Sequence, residues 1–270
     1  MSLTAKRDAF RRLHQAGSFI IPNPWDVGSA KLLAGLGFKA LASTSGGMAW
    51  SMGKPDYGVT RDEVLAHLKQ LSAATDLPLN ADFENGFADD PAGVAANVAL
   101  AVEAGVSGLS VEDSTGKKES PLYDLDLGVA RIAAARAAID STGSGVLLTA
   151  RCEAFLVGVK DLDELIRRLK AYSAAGADVL YAPFLPDLDA TKAVIETAGP
   201  KPVNVLLAGP GRTVAELTAL GARRISVGAS MARAAYGAFI EMAVGLNENG
   251  ATKAFAPIAP FTSLNEALKA

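Results

Sequence analysis

AVEAGVSGLSV, residues 101–111, runs from the end of a helix through a glycine into an apolar strand. The same order recurs, without strict periodicity, in LAGLGFKALAS (33–43), YSAAGADVLYA (172–182) and LTALGARRISV (217–227). Gly37, Gly105, Gly176 and Gly221 stand where a helix C-terminus calls for a left-handed residue. The strands after them are almost continuously apolar, as in parallel sheets buried on both faces. The rest of the chain, read the same way, gives strands near 18–22, 39–43, 77–82, 107–112, 145–150, 178–182, 202–207 and 223–227. Helices fall near 26–36, 61–74, 91–104, 126–140, 161–175, 187–198, 213–220 and 230–245. Alternating β and α argues for a parallel sheet, and eight such units close on themselves better than they extend. The expected fold is therefore α/β, a parallel (β/α)8 TIM-type barrel. An open doubly wound sheet is the alternative; no GxGxxG opens a helix after the first strand, which weighs against its dinucleotide-binding form.

Two segments lie outside the eight units. Residues 2–16 read as an amphipathic N-terminal helix able to cover the barrel bottom, and not as a signal peptide. Residues 247–270 form a C-terminal extension beyond a 1–246 barrel domain. It holds AFAPIAPFTS and then Ser263-Leu264-Asn265-Glu266, a capping-box start for a short final helix. Its aromatics and prolines suit packing, either on its own barrel or on a neighbouring subunit. The 270 residues fit one large domain, and half of them are hydrophobic. A net charge of −3 and a pI near 5.5 leave no basic footprint for nucleic acid. One cysteine excludes an internal disulfide and suits the cytoplasm. No apolar run reaches the roughly 18 residues of a membrane span.

The chemistry is expected where strands end in polar residues, because a β/α barrel builds its site from that rim. Asp82 and Glu84 are two apart and share a face if strand geometry persists, with Asn80 deeper; Glu112 closes the next strand. Three converging carboxylates suit Mg²⁺ or Mn²⁺, although an acidic residue after a strand can also be a solvated turn. Arg151 ends the apolar run GVLLTAR, where a charge needs a partner. A substrate carboxylate or phosphonate gripped in two places would supply one; an ion pair to Glu153 or Glu112 is the alternative. Cys152 alternates away from that face and reads as a small buried hydrophobe. Ser43-Thr44-Ser45-Gly46-Gly47 is a turn whose N–H groups could converge on an anion, or an ordinary loop. Gly209-Pro210-Gly211 and Gly228-Ala229-Ser230 stand where many barrels bind phosphate. Both histidines, His14 and His67, fall on helices, and no lysine ends a strand, which disfavours histidine catalysis and a Schiff-base mechanism.

At these residues the chain resembles the isocitrate lyase/phosphoenolpyruvate mutase superfamily over nearly its full length. The resemblance is carried by PNPWDVGSA (22–30), ASTSGGMAWSMGKPD (42–56), NADFENGF (80–87), GLSVEDS (108–114), LTARCEAFLVG (148–158) and AYSAAGADVLY (171–181). It implies a β/α barrel with Mg²⁺ at the rim, 2-oxo or 2-hydroxy acid substrates, and a homotetramer that exchanges C-terminal helices. Position by position it implies Asp82 as principal metal ligand, with Glu84 and Glu112 in the metal shell and Asp56 near the metal waters. It implies Ser45, Gly46 and Gly47 as the substrate-binding turn, Trp25 over the substrate, Arg151 on its anionic end and Asn204 as a polar rim position. The chain also departs from its relatives. The lyase motif KKCGH has as counterpart STGKKESPLYD (114–124), with Lys117 and Lys118 but neither Cys nor His. DxDxGxG becomes Asp82-Phe83-Glu84-Asn85-Gly86-Phe87-Ala88. Pro183 aligns with the lyase glutamate and the mutase histidine, and Glu119 falls near a mutase asparagine.

These residues support a Mg²⁺-dependent carbon–carbon lyase or decarboxylase acting through a stabilised enolate, oxaloacetate being the most economical substrate. Tyr57, Tyr123 or a metal water would return the proton, and the loop 114–124 would close as a lid with Lys118 screening the substrate's charge. P–C bond chemistry on phosphonopyruvate and a non-catalytic 2-oxo-acid-binding protein are the rival readings.

Overall fold

The computed structural model describes residues 1–208, 211–250 and 258–269. Its barrel strands are β1 (Phe19–Ile21), β2 (Leu41–Ala42), β3 (Leu79–Asp82), β4 (Gly108–Glu112), β5 (Leu147–Arg151), β6 (Val179–Tyr181), β7 (Val203–Leu206) and β8 (Arg224–Ser226). All pair in parallel in the order β1-β8-β7-β6-β5-β4-β3-β2. The ring is nearly closed, and the β1/β2 seam is bridged by the Ala42 N–H donating to the Pro22 carbonyl at 3.0 Å. Around it run α1 (Leu3–Gln15), α2 (Val27–Gly35), α3 (Ser45–Ser51), α4 (Arg61–Ala74), α5 (Pro91–Glu103), α6 (Leu125–Ser141), α7 (Leu162–Ala174), α8 (Leu188–Ala198), α9 (Val214–Ala219), α10 (Ser230–Asn249) and α11 (Phe261–Leu268). The expected TIM-type barrel is thus the observed one.

Strand alternation sorts the side chains into two layers. Ala81, Leu109, Val111, Leu148, Ala150, Cys152, Val205 and Ile225 are buried in the main apolar core with Val94, Val98, Leu165 and Leu169 of the helices. Their neighbours Asn80, Asp82, Ser110, Arg151, Asn204, Arg224 and Ser226 line a cavity inside the barrel. The polar set is therefore placed by the same period that builds the core.

The barrel bottom is closed by α1, as its amphipathic pattern implies. Phe10 is fully buried and meets His14 edge to face at 4.5 Å, and His14 meets Phe19 at 5.0 Å. Gly108 makes room for this plug: a Cβ there would lie 2.6 Å from the Phe10 ring and 2.8 Å from Asn80 Oδ1. Burial, followed by the charge of Arg224, pushes the His14 pKa down to about 3. An unfolded His14 titrates at about 6.5, so below that pH the unfolded chain binds a proton the folded one refuses. Stability from this group is present above about 6.5 and lost as pH falls towards 3. His14→Phe should therefore gain on the wild type as pH falls from 7 to 5. A melting-temperature difference that stays constant across that range would refute the assignment.

Three local expectations are corrected. The turn after β2 is the start of α3, a helix the strand–helix reading lacks. The last barrel helix runs past residue 246 to Asn249 and stops at Gly250, which takes a left-handed φ of 57°. The final helix begins at Phe261 after Pro260, with no side-chain cap, so Ser263 lies in its first turn and is not its N-cap. Residues 254–257 of AFAPIAPFTS, like Gly209 and Pro210 of the turn after β7, lie outside the described residues. Helix α11 packs beside α2 of the same chain, where Lys31 Nζ donates to the Leu268 carbonyl at 3.4 Å.

Candidate active site

Asp82 ends β3 with both oxygens engaged. Oδ1 accepts from Arg151 Nη1 at 3.1 Å, and Oδ2 accepts from the Ser45 backbone N–H at 3.0 Å. The Asp82 N–H in turn donates to Ser43 Oγ at 2.8 Å, locking β3 to the chain after β2. Arg151 stands two strands along on β5, where register pairs it with Glu112 on β4. Its guanidinium reaches Glu112 at 3.3 Å and closely contacts Glu153 as well as Asp82. Burial alone would lower the Arg151 pKa, but Glu153, Glu112 and Asp82 together raise it well above its usual value. Behind this group, Asp113 accepts from the Glu153 N–H at 2.8 Å and from the Tyr172 hydroxyl at 2.8 Å. Arg168 sits 3.3 Å from the same aspartate. The arginine is thus held by carboxylates that are themselves held.

Glu84 joins them by a different route from strand geometry. Its φ of 43° turns the chain left-handed straight after β3, a costly conformation for a non-glycine residue. The turn delivers the Glu84 carbonyl to the Glu112 N–H at 2.9 Å and leaves its side chain buried, with Oε1 lacking a hydrogen-bond partner. Burial, then Asp82, Glu112 and Asp56, push the Glu84 pKa up to about 8. Burial and the charge of Asp82 also raise Asp56. Burial raises Glu112 and Glu153, with Arg151 pulling each back. Tyr57, at a φ of 60°, donates its hydroxyl to Glu112 at 2.6 Å. This surplus of carboxylate oxygen, with Glu84 Oε1 and Glu153 Oε2 both unpartnered, is the donor chemistry of a hard divalent cation. Among the described residues no group of three or more His, Cys, Asp or Glu side chains is placed to hold a metal ion as it stands.

The cavity above Asp82 and Arg151 measures about 250 Å³. Its other side is formed by Tyr181, Asn204, Arg224, Ser226 and the start of α10. Arg224 is buried and donates to Asn204 Oδ1 at 2.8 Å, Asn80 Oδ1 at 3.1 Å and Thr149 Oγ1 at 3.1 Å. Leu156 and Phe184 form an apolar lip.

Of the residues nominated from sequence, Ser45, Gly46, Asp56, Asp82, Arg151 and Asn204 line this cavity. Ser45, Gly46 and Gly47 do not offer three free amides, however. The Ser45 N–H goes to Asp82 and the Gly47 N–H to Thr44 Oγ1 at 3.4 Å, which leaves Gly46. Gly47 and Trp25 sit behind the wall, so close that a Cβ on Gly47 would lie 2.9 Å from that of Trp25. Glu84 and Glu112 are within the carboxylate group but below the cavity surface. Lys118 is exposed on the loop after β4 and does not line the cavity. That loop folds on itself, Ser114 bridging to Leu122, and Lys117 points to Asp89 at 3.5 Å. Tyr123 also turns to Asp89. Cys152 is fully buried, as alternation implies. The ion pairs of Arg151 to Glu153 and Glu112, the alternative read from sequence, are both present, whereas Arg224 and Tyr181 are not among the residues expected from sequence. Arg224 carries the signal that marked Arg151, a charge within an apolar strand, and was masked by Arg223 beside it.

Comparison with known proteins agrees with this geometry. The sequence model described as phosphoenolpyruvate phosphomutase matches residues 10–246, and the chain belongs to that family, part of the phosphoenolpyruvate mutase/isocitrate lyase superfamily of enzymes. A crystal structure described as a lyase/mutase from Burkholderia cenocepacia is 48% identical with a TM-score of 0.96, covering 100% of this chain and 98% of that one. The 2-methylisocitrate lyase of Escherichia coli is 32% identical over 198 residues, 70% of this chain and 65% of the lyase. The oxaloacetate decarboxylase of Pseudomonas entomophila is 32% identical over 233 residues, 80% of this chain and 76% of the decarboxylase. No helix among the described residues is long and apolar enough to cross a membrane.

Proposed function

We propose that this enzyme is a Mg²⁺-dependent carbon–carbon lyase or decarboxylase for a small 2-oxo or 2-hydroxy acid such as oxaloacetate. The observation that carries the reading is Asp82, fixed by Arg151 and the Ser45 amide at the cavity wall, beside Glu112 and Glu153 that share the same arginine and Glu84 whose Oε1 has no partner. Asp82 would hold the cation, with Glu84, Glu112 and Asp56 around its water shell; Mn²⁺ is the alternative ion. When bound, such an ion would supply Lewis-acid polarisation of a substrate oxygen. Arg151 spends Nε and Nη1 on the carboxylates, so Nη2 is the donor that orients a substrate carboxylate. The Gly46 N–H supplies one further donor at the mouth. Tyr57, held on Glu112, would return the proton, since Tyr123 turns to Asp89.

The test is pyruvate release from oxaloacetate and from 2-methylisocitrate, with Mg²⁺ and after its removal by chelation. Metal-dependent turnover of either supports the proposal. Phosphate release from phosphonopyruvate alone would move the reaction to P–C chemistry, and saturable 2-oxo-acid binding without turnover would make the chain a binding protein.

The assembly we propose is a homotetramer exchanging C-terminal helices in the cytoplasm, with no nucleic-acid or membrane partner. Phe239, Ile240 and Val244 of α10 and Phe261 of α11 are exposed in the single chain, Phe261 by 82%, an apolar surface suited to burial against another copy. Deleting residues 251–270 should lower the mass seen by light scattering; an unchanged assembly would speak against exchange.

A further inference from the structure

Three arginines line the cavity; Arg233 is exposed on α10, and the two inner ones, Arg151 and Arg224, are treated oppositely. Arg151 is surrounded by Asp82, Glu112 and Glu153. Arg224 has only the neutral oxygens of Asn204, Asn80 and Thr149. Asn204 is oriented for this task, since its amide donates to Ser226 Oγ at 3.0 Å and leaves its carbonyl oxygen for Arg224 Nε. Among the described residues no carboxylate pairs with Arg224. The titratable groups facing it are His14, held neutral beneath it, and Tyr181, a phenol whose pKa burial pushes up to about 12. Burial lowers the guanidinium's own pKa to about 10, which still leaves it charged at neutral pH. An ion removed from water is costly unless an opposite charge meets it. Of its five N–H donors, three are used by the protein. Arg224 lines the cavity together with Asn80, Ser110 and Ser226, which present hydroxyl and amide groups and no carboxylate. The acidic side of the cavity, around Asp82, favours a cation; this floor favours an oxyanion.

We infer that Arg224 is the floor of a second anion subsite, which takes the distal carboxylate of a diacid whose 2-oxo or 2-hydroxy head lies at Asp82 and Arg151. The site then selects dianionic acids over the corresponding monoacids. This rests on the reading of the cavity as a 2-oxo or 2-hydroxy acid site, and the experiment separates the two. Malate and lactate share a 2-hydroxy acid head and differ by one carboxylate. Calorimetry with Mg²⁺ held constant should show malate binding the wild type more tightly by roughly 10- to 100-fold, the range for a hydrogen-bonded charge. Arg224→Met should bring malate down to the lactate affinity while lactate changes less than about threefold. A structural arginine would instead weaken both acids together.

Thr149→Asp covers the case in which Arg224→Met does not fold. It places a carboxylate beside Arg224 Nη2, whose partner Thr149 Oγ1 now stands at 3.1 Å. This variant should keep the wild-type melting temperature or exceed it, yet lose the malate preference. Equal binding of the two acids by the wild type would overturn the Arg224 subsite alone, as would a malate preference that survives in the folded variants. If neither acid binds the wild type, both the subsite and the acid-site reading fail.

Discussion

Asp82→Ala should lower kcat/KM by about a thousandfold or more, roughly 4 kcal/mol of transition-state stabilisation, while the protein stays folded. The size of the effect follows from how much one side chain does. On the proposed reading Asp82 would hold the cation, and its oxygens also fix the Arg151 guanidinium and the first amide of α3. Without it, the proposed metal site, Arg151 and the Gly46 donor would lose their common reference point. Folding should survive because the residue lies at the rim, and Arg151 retains Glu112 and Glu153. Asp82→Asn separates the roles: it can still accept from Ser45 but withdraws the charge. The pair should melt close to the wild type while Mg²⁺ affinity, followed by titration, collapses in both. Wild-type Mg²⁺ affinity in Asp82→Ala would remove Asp82 from the metal site.

The barrel was legible because its two periods are written plainly. Glycine-ended helices feeding apolar strands specify β/α units, and alternation within β3 and β5 places Asp82 and Arg151 inside and Ala81, Ala150 and Cys152 outside. What escaped depends on contacts between distant residues. Two adjacent glycines are poor helix formers, yet α3 forms because Thr44 caps it and Asp82, on another strand, takes its first amide. Glu84 reaches the other carboxylates through a left-handed turn that nothing in DFENG announces. Lys118 was nominated for a place beside the metal by its position after β4, but a loop's direction is set by its stem, and this one folds towards Asp89. Alternation applied to Arg223 and Arg224 separates them too. Arg223 turns to the Gly17 carbonyl outside the barrel, and Arg224 crosses the interior to Asn80 and Thr149.

Arg151→Met should be the most destabilising single change at the site. Removing one partner of a buried ion pair leaves the others charged in a medium that solvates them poorly, at a cost of about 3–5 kcal/mol. For a domain of this size that corresponds to a fall in Tm of roughly 6–15 °C. Glu153 and Glu112 are almost completely buried and would lose their common cation. Burial already holds both pKa values above the usual carboxylate range, with Arg151 opposing it, so its removal drives them higher. The sign of the pH dependence follows. As pH rises through the ordinary carboxylate range the unfolded chain releases protons that the folded variant keeps, so the variant's stability falls with rising pH. The wild type, whose Glu112 and Glu153 are also raised towards neutral pH, follows the same course below neutrality, so the gap opens above it and should be larger at pH 8 than at pH 5. Arg151→Lys, which restores charge without the planar fork, should recover part of the loss in melting temperature but little activity. Thermal melts of both variants at the two pH values decide the matter. A Met variant melting with the wild type at pH 8 would mean that the carboxylates do not depend on Arg151, and the electrostatic account of the site would fall with it.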